Sequence, residues 1–155
     1  TVASINSSDA ALAGEQLFEA MSNFSVSAVH LYSNATLSRS LPNVSRSLVV
    51  QGFCEVDYCA VDGAAAFHMF VANASAVLEL KGLTLANGAA ERGAALFLAD
   101  QSTAVVENIW FTNNSATSGG AVYSENSHTL SITNSVFTGN TAEVSHHLCS
   151  FPASS

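Results

Sequence analysis

Two stretches decide the fold: NIWFTNNSATSGGAVY at 108–123 and NSVFTGNTAEVSHHLC at 134–149. They match at an offset of 26 residues, and the same step back from the first gives GLTLANGAAERGAALF at 82–97. In this frame Leu85, Phe111 and Phe137 align, then Gly88, Asn114 and Asn140, and then Ala90, Ala116 and Ala142. Gly93 matches Gly119, and Val71, Phe97, Tyr123 and Cys149 share a column. Upstream, Leu80, Val106 and Ile132 form one set and Leu78, Ala104 and Leu130 another. A fixed period of this length marks a repeat architecture.

Helical repeats would need ten or more residues of 3.6-residue periodicity in each cycle. The apolar positions come instead in short alternating bursts: LEL, VVE and LSI, then LTL, WF and VF, then ALFL and AVYS. Gly, Asn, Ser or Thr bounds each burst, as turn residues bound strands. Three short strands per cycle, one coil stacked about 4.8 Å from the next, describe a right-handed parallel β-helix. Leu85, Phe111 and Phe137 are then an inward stack. Asn114 and Asn140 form an amide ladder at a turn, and Gly93, Gly119 and Gly120 sit at a corner.

Outward from these regular coils (78–149) the pattern loosens. Residues 8–22 read as an amphipathic helix with Ser8 or Asp9 as cap. Ala10, Ala13, Leu17, Phe18 and Met21 share one face, Glu15 and Glu19 the other. Such a helix suits the first coil, whose backbone groups would otherwise stand unpaired. The segment 26–77 is strand-like but departs from the period, so irregular first coils are expected there. One domain spans 1–155. TVASINSS at the start carries neither an initiator methionine nor an apolar leader, and FPASS at the end supplies no cap. Both suggest a piece of a longer, processed chain.

Composition narrows the partners. Hydrophobic residues make up 48% and charged ones 10%, against the disordered pattern of low hydrophobicity and high charge. Arg39, Arg46, Lys81 and Arg92 face twelve acidic residues, for a net charge of −8. Without a basic cluster, nucleic acid and anionic membrane surfaces are poor candidates as partners. The most apolar stretch, 63–80, is broken by His68, Asn73 and Glu79 and is no membrane span.

Six sequons, at Asn6, Asn23, Asn34, Asn43, Asn73 and Asn113, exceed what this composition yields by chance. N-linked glycans there would keep a surface so poor in charge soluble, and Asn113 and Asn73 are expected to point outward. Cys54 and Cys59 enclose EVDY and are expected to bridge, leaving Cys149 unpaired or paired outside. Sequons and cysteine pair together imply an extracellular or cell-surface location.

FTNNSA at 111–116, GGAVY at 119–123 and FTGNTA at 137–142 resemble the FxxN and GGA(I/L/V) repeats of chlamydial polymorphic outer-membrane proteins. Similar repeats occur in surface proteins of algae and protists, within the pectin-lyase-like superfamily. The resemblance covers 78–149 closely and 8–77 loosely. The sequence departs from it at SHHL (145–148), where the corner glycines belong, and at Gly88, where a ladder asparagine belongs. The resemblance implies an extracellular structural or adhesive stalk without catalytic residues.

The NTD, DD, GHG and RIK segments of polygalacturonases are missing, as are a phosphate loop and a nucleophile elbow. Glu55, Asp57 and Asp62 are the one acidic cluster, read as a solvated loop in preference to a calcium site. Adjacent His146 and His147 point to opposite faces of a strand, so only one of them could share a site with His128, and the segment is read as an irregular corner in preference to a metal site. Trp110 and Tyr123 suit sugar stacking, or simple packing. The expectation is a structural or adhesive glycoprotein module needing no cofactor, with other surface proteins or polysaccharides as partners. A polysaccharide lyase or hydrolase, or a glycan-binding β-helix, is the alternative.

Overall fold

The computed structural model describes residues 1–144, and it is a parallel β-helix. The chain opens with β1 (Val2–Ile5) and helix α1 (Ala10–Ser22), then β2 (Ala28–Leu31), β3 (Ala35–Thr36) and β4 (Ser47–Gly52). Next come β5 (Cys59–Asp62), β6 (Phe70–Ala72), β7 (Val77–Ala86), β8 (Ala89–Arg92) and β9 (Leu96–Leu98). The last coils hold β10 (Thr103–Thr112), β11 (Ser115–Ser118), β12 (Val122–Ser124), β13 (Thr129–Thr133), β14 (Val136–Thr138) and β15 (Thr141–Val144). The main sheet runs β1-β2-β4-β7-β10-β13, one strand from each coil, with β3, β5 and β14 joined to it. Strands β8, β11 and β15 form a second sheet, and β6, β9 and β12 a third.

Strand β7 shows how sequence makes a coil. Leu78 and Leu80 are buried, and so are Leu83 and Leu85. Strict alternation would turn Leu83 outward. Gly82, at φ +62°, bends the strand and resets the phase. Asn108 (φ +55°) and Asn134 (φ +49°) do the same in the next two coils. Asparagine is one of the few side-chain-bearing residues that tolerate this left-handed region. The bursts LEL and LTL are therefore one bent strand. The coil still has three strands, because Ala89–Arg92, which is not among the expected bursts, forms the second and Leu96–Leu98 of the ALFL burst the third.

The expected columns are in register among the described residues, but the inward stack does not stay inward to its end. Phe137 is 46% exposed, because β14 pairs only with β10 among the described residues, and Leu130 and Ile132 are half-buried for the same reason at β13. Phe111 pairs with Leu85 on one side and Phe137 on the other, and the two phenylalanine rings stack at 4.5 Å. Val106 pairs with Leu80 and Ile132, Ala104 with Leu78 and Leu130. Val71, Phe97 and Tyr123 align too, while Cys149 of that column lies outside the described residues.

The ladder is an unbroken chain of hydrogen bonds. The Asn114 amide Nδ2 donates to the Leu85 carbonyl (2.9 Å) and to Asn140 Oδ1 (3.0 Å). Asn140 Nδ2 donates to the Phe111 carbonyl (2.9 Å). At the other end the Gly88 N–H donates to Asn114 Oδ1 (2.9 Å). A Cβ at Gly88 would stand 2.9 Å from that oxygen and 2.7 Å from the Ala94 carbonyl, so the ladder stops at glycine for want of room. The corner glycines Gly93 and Gly119 have φ of +51° and +63°. The corner expected at SHHL lies outside the described residues.

The first coils are irregular in a specific way. Val2 pairs with Ala28, a regular step of 26, although β1 left no recognisable mark in the sequence. Ala28 then pairs with Val49 and Ser47 with Val77, steps of 21 and 30. Helix α1 is capped by Asp9, whose Oδ1 accepts from the Ala11 (2.9 Å) and Leu12 (3.3 Å) N–H groups. It buries Ala13, Gly14, Leu17 and Met21. Gly14 lies against β3: a Cβ there would come within 2.0 Å of the Thr36 carbonyl. Strand β3 pairs only with β5, and the helix covers its other side. The capping role holds, at β3 and not at the outermost strand β1.

Candidate functional site

The long step of 30 has a cause. Gln51 pairs with Lys81 and Cys59 with Leu83, so the seven residues Gly52–Tyr58 stand opposite the single Gly82. The extra residues loop out from the coil. A disulfide between Cys54 and Cys59, with Cα atoms 5.2 Å apart, closes the loop at its base. Cys59 is buried, whereas Glu55, Val56, Asp57 and Tyr58 are exposed.

Between this loop and β10 lies a cleft of about 680 Å³. Asp57 and Tyr58 line it from the loop, Thr84 and Trp110 from the strands, and Gly52 and Gly82 from the corner. Trp110 points outward because Ile109 and Phe111 on either side are buried, and it remains 52% exposed. The Tyr58 and Trp110 rings meet edge to face, with centroids 6.4 Å apart and planes at 88°. Thr84 is the ladder neighbour of Trp110 on β7. Phe53, also in the loop, stacks on Tyr32 at 5.4 Å and meets the His30 ring at 4.9 Å.

The two aromatic candidates thus part company. Trp110 faces the cleft, whereas Tyr123 is buried, packed on Phe97 at 5.6 Å with the Arg92 guanidinium 5.7 Å from its ring. The acidic cluster divides as well. Asp62 lies at the far end of β5, where its Oδ1 accepts from the Ala64 N–H (2.8 Å) and its Oδ2 from Asn87 Nδ2 (3.2 Å). Glu55 and Asp57 stay on the loop. Among the described residues no three His, Cys, Asp or Glu side chains are placed to hold a metal. His128 is exposed, and His146 and His147 lie outside the described residues.

All four basic residues are engaged. Arg39 pairs with Glu15 (2.7 Å), Lys81 with Glu79 (3.1 Å) and Arg92 with Glu125 (2.9 Å). Arg46 donates to the Val26 and Asn23 carbonyls, both at 3.2 Å. The Ser38 hydroxyl bonded to Glu15, with Arg39 beside it, holds that carboxyl below the usual carboxylate range despite some desolvation.

Among the sequons, Asn6, Asn23, Asn34, Asn43 and Asn113 are exposed. Asn34 also accepts the Ala60 N–H on its Oδ1 (2.9 Å), and Asn23 Oδ1 accepts from both the N–H and the hydroxyl of Ser25. Asn113 occupies a left-handed corner at φ +54°. Asn73 departs from expectation. It is half-buried, and its backbone N–H donates to the Val44 carbonyl of the preceding coil (3.0 Å).

Tyr58, Thr84, Gly52 and Gly82 were not singled out from the sequence. The one signal was indirect: a tyrosine beside Cys59, and threonine at the position one period before Trp110.

By fold the chain is a β-solenoid repeat protein, built from coils of about 26 residues. The family described as Chlamydia polymorphic membrane protein (Chlamydia_PMP) repeat matches it over residues 109–125. That span begins at Ile109 in β10 and ends just past β12, so it takes in the Phe111 stack, the Asn114 rung and the Gly119–Gly120 corner. No curated protein and no solved structure matches the chain significantly. Among the described residues no helix is long and apolar enough to cross a membrane.

Proposed function

We propose that this chain is a non-catalytic structural or adhesive module of an extracellular surface or cell wall, carrying N-linked glycans. One observation carries the reading. Within the matched repeat, Phe111, Asn114 and Gly119 all serve the stacking of one coil on the next. A repeat whose signature residues are spent on stacking produces a rigid body, and function is left to what its outer faces display. The membrane-protein repeat family supports a surface location, as does the disulfide, which persists in oxidising compartments. The dispersed carboxylates and engaged basic residues argue against lyase or hydrolase chemistry, which needs both groups converging on one groove.

Intact and peptide mass spectrometry of protein from its natural source tests the reading. Sugar is expected at Asn34, Asn43 and Asn113 first, with Asn6 and Asn23 also accessible and Asn73 hindered by its half-buried setting. Bare asparagines at all six positions would overturn it.

A further inference from the structure

We propose that the cleft between the disulfide-closed loop and β10 binds a ring of a neutral saccharide, stacked on Trp110. The inference deepens the adhesive part of the proposed function and rests on it. Three observations carry it.

The first is the indole itself. Trp110 stands 52% exposed near the end of a ten-residue strand, where ladder partners fix its backbone on both sides. The Tyr58 ring stands at right angles to it with centroids 6.4 Å apart, so two aromatic rings border the mouth of the cleft. The axial C–H face of a pyranose packs on such a ring.

The second is the lining. Asp57 and Thr84 line the cleft beside the rings and bring a carboxylate and a hydroxyl to its set of wall residues. They can bond the hydroxyl rim of a sugar whose apolar face lies on the indole. The volume, about 680 Å³, falls within the range of roughly 300–1,000 Å³ usual for ligand sites. It admits more than one sugar ring, and a small quaternary ammonium group would leave most of it empty.

The third is charge. The protein carries a net −8, and Glu55 and Asp57 lie on the loop that forms the cleft. An acidic polysaccharide would be repelled on approach and again at contact. A neutral one would not. The disulfide adds preorganisation, since a loop closed at its base loses little freedom when a ligand binds.

The chain contains a single tryptophan, so its fluorescence reports on this cleft alone. The whole chain would be titrated with neutral oligosaccharides of glucose, galactose, mannose, xylose and N-acetylglucosamine. Oligogalacturonate and tetramethylammonium would be run beside them. A saturable blue shift is expected with at least one neutral sugar, insensitive to salt, and none with oligogalacturonate. Tyr58→Ala should weaken binding about tenfold. Calorimetry on Trp110→Ala should show binding lost with an unchanged unfolding midpoint, and Asp57→Asn gives a second variant should that one misfold. The proposal is overturned by silence across the whole neutral panel, by binding that survives both aromatic substitutions, or by saturable binding of oligogalacturonate or tetramethylammonium instead. Failure here with sugar present on the sequons removes this site and leaves the structural reading standing. Bare sequons with binding intact do the reverse.

Discussion

At the scale of single residues, Asn114 carries the most. It is one of two buried polar residues among the described ones, and its side chain serves three coils at once. Replacing it with leucine of similar size leaves the Gly88 N–H and the Leu85 carbonyl without partners in a dry interior. Each buried group so orphaned costs about 1–3 kcal/mol. Urea denaturation should therefore show a large drop in midpoint for Asn114→Leu, and a drop under half a kilocalorie, as at ordinary surface sites, would show the ladder to be incidental. His68 offers a test by pH. Burial lowers its pKa from 6.5, with a backbone hydrogen bond at Leu41 opposing in part. The unfolded chain then takes up the proton before the folded one does. This contribution to stability is complete above pH 6.5 and is lost as the pH falls from there toward the folded-state pKa. His68→Gln should flatten the pH dependence of the unfolding free energy over that window. Asn114 was legible in the sequence because its partner recurs one period on. His68 was not, since burial depends on coils the sequence does not align.

At the scale of elements, the bent strands and the inserted loop tell opposite stories. β7 and β10 share one phase reset, at Gly82 and Asn108, and their inward residues repeat position by position. That repetition is what made the regular coils readable. Gly93 and Gly119 stand out in the sequence as corner glycines, whereas nothing in it marks Asn108 and Asn134 as the points where the strand resets its phase. The N-terminal coils hid their order for a physical reason. A shortened step of 21 and a lengthened one of 30 still place each strand beside its neighbour in space, but neither keeps the period of 26 in sequence. β1 is four residues long and recognisable only by its pairing with β2. The cleft was hidden likewise: Trp110 announced itself, but Tyr58 reaches it only because the loop folds out over the following coils. The bridge there spans a sequence separation of 5. Closing so short a loop stabilises less than the roughly 3 kcal/mol of a 15-residue one. The double substitution Cys54→Ser with Cys59→Ser should leave the chain folded with a small loss of midpoint, while limited proteolysis should begin within 53–58. Global unfolding of that variant would mean that the loop supports the stack, contrary to its position outside it.

At the scale of the molecule, each coil touches chiefly its two neighbours, so stability is a sum of coils and the contacts between them. Such a body should tolerate loss of a whole coil and fail on loss of part of one, because only a whole period restores every column. Removing Thr103–His128 joins Ser102 to Thr129, the residue that pairs with Thr103 across the ladder. After that excision Leu85 meets Phe137, Leu80 meets Ile132, and the Gly88 N–H meets Asn140 in place of Asn114. Removing half as much, Thr103–Ser115, sets every inward residue out of register. Circular dichroism through thermal unfolding of the two deletions beside the full chain is the decisive measurement. The whole-coil deletion should keep a β-sheet spectrum and a cooperative transition at a somewhat lower midpoint, and the half-coil deletion should lose both. If the two behave alike, whether both fold or both collapse, the chain is not a stack of interchangeable 26-residue coils.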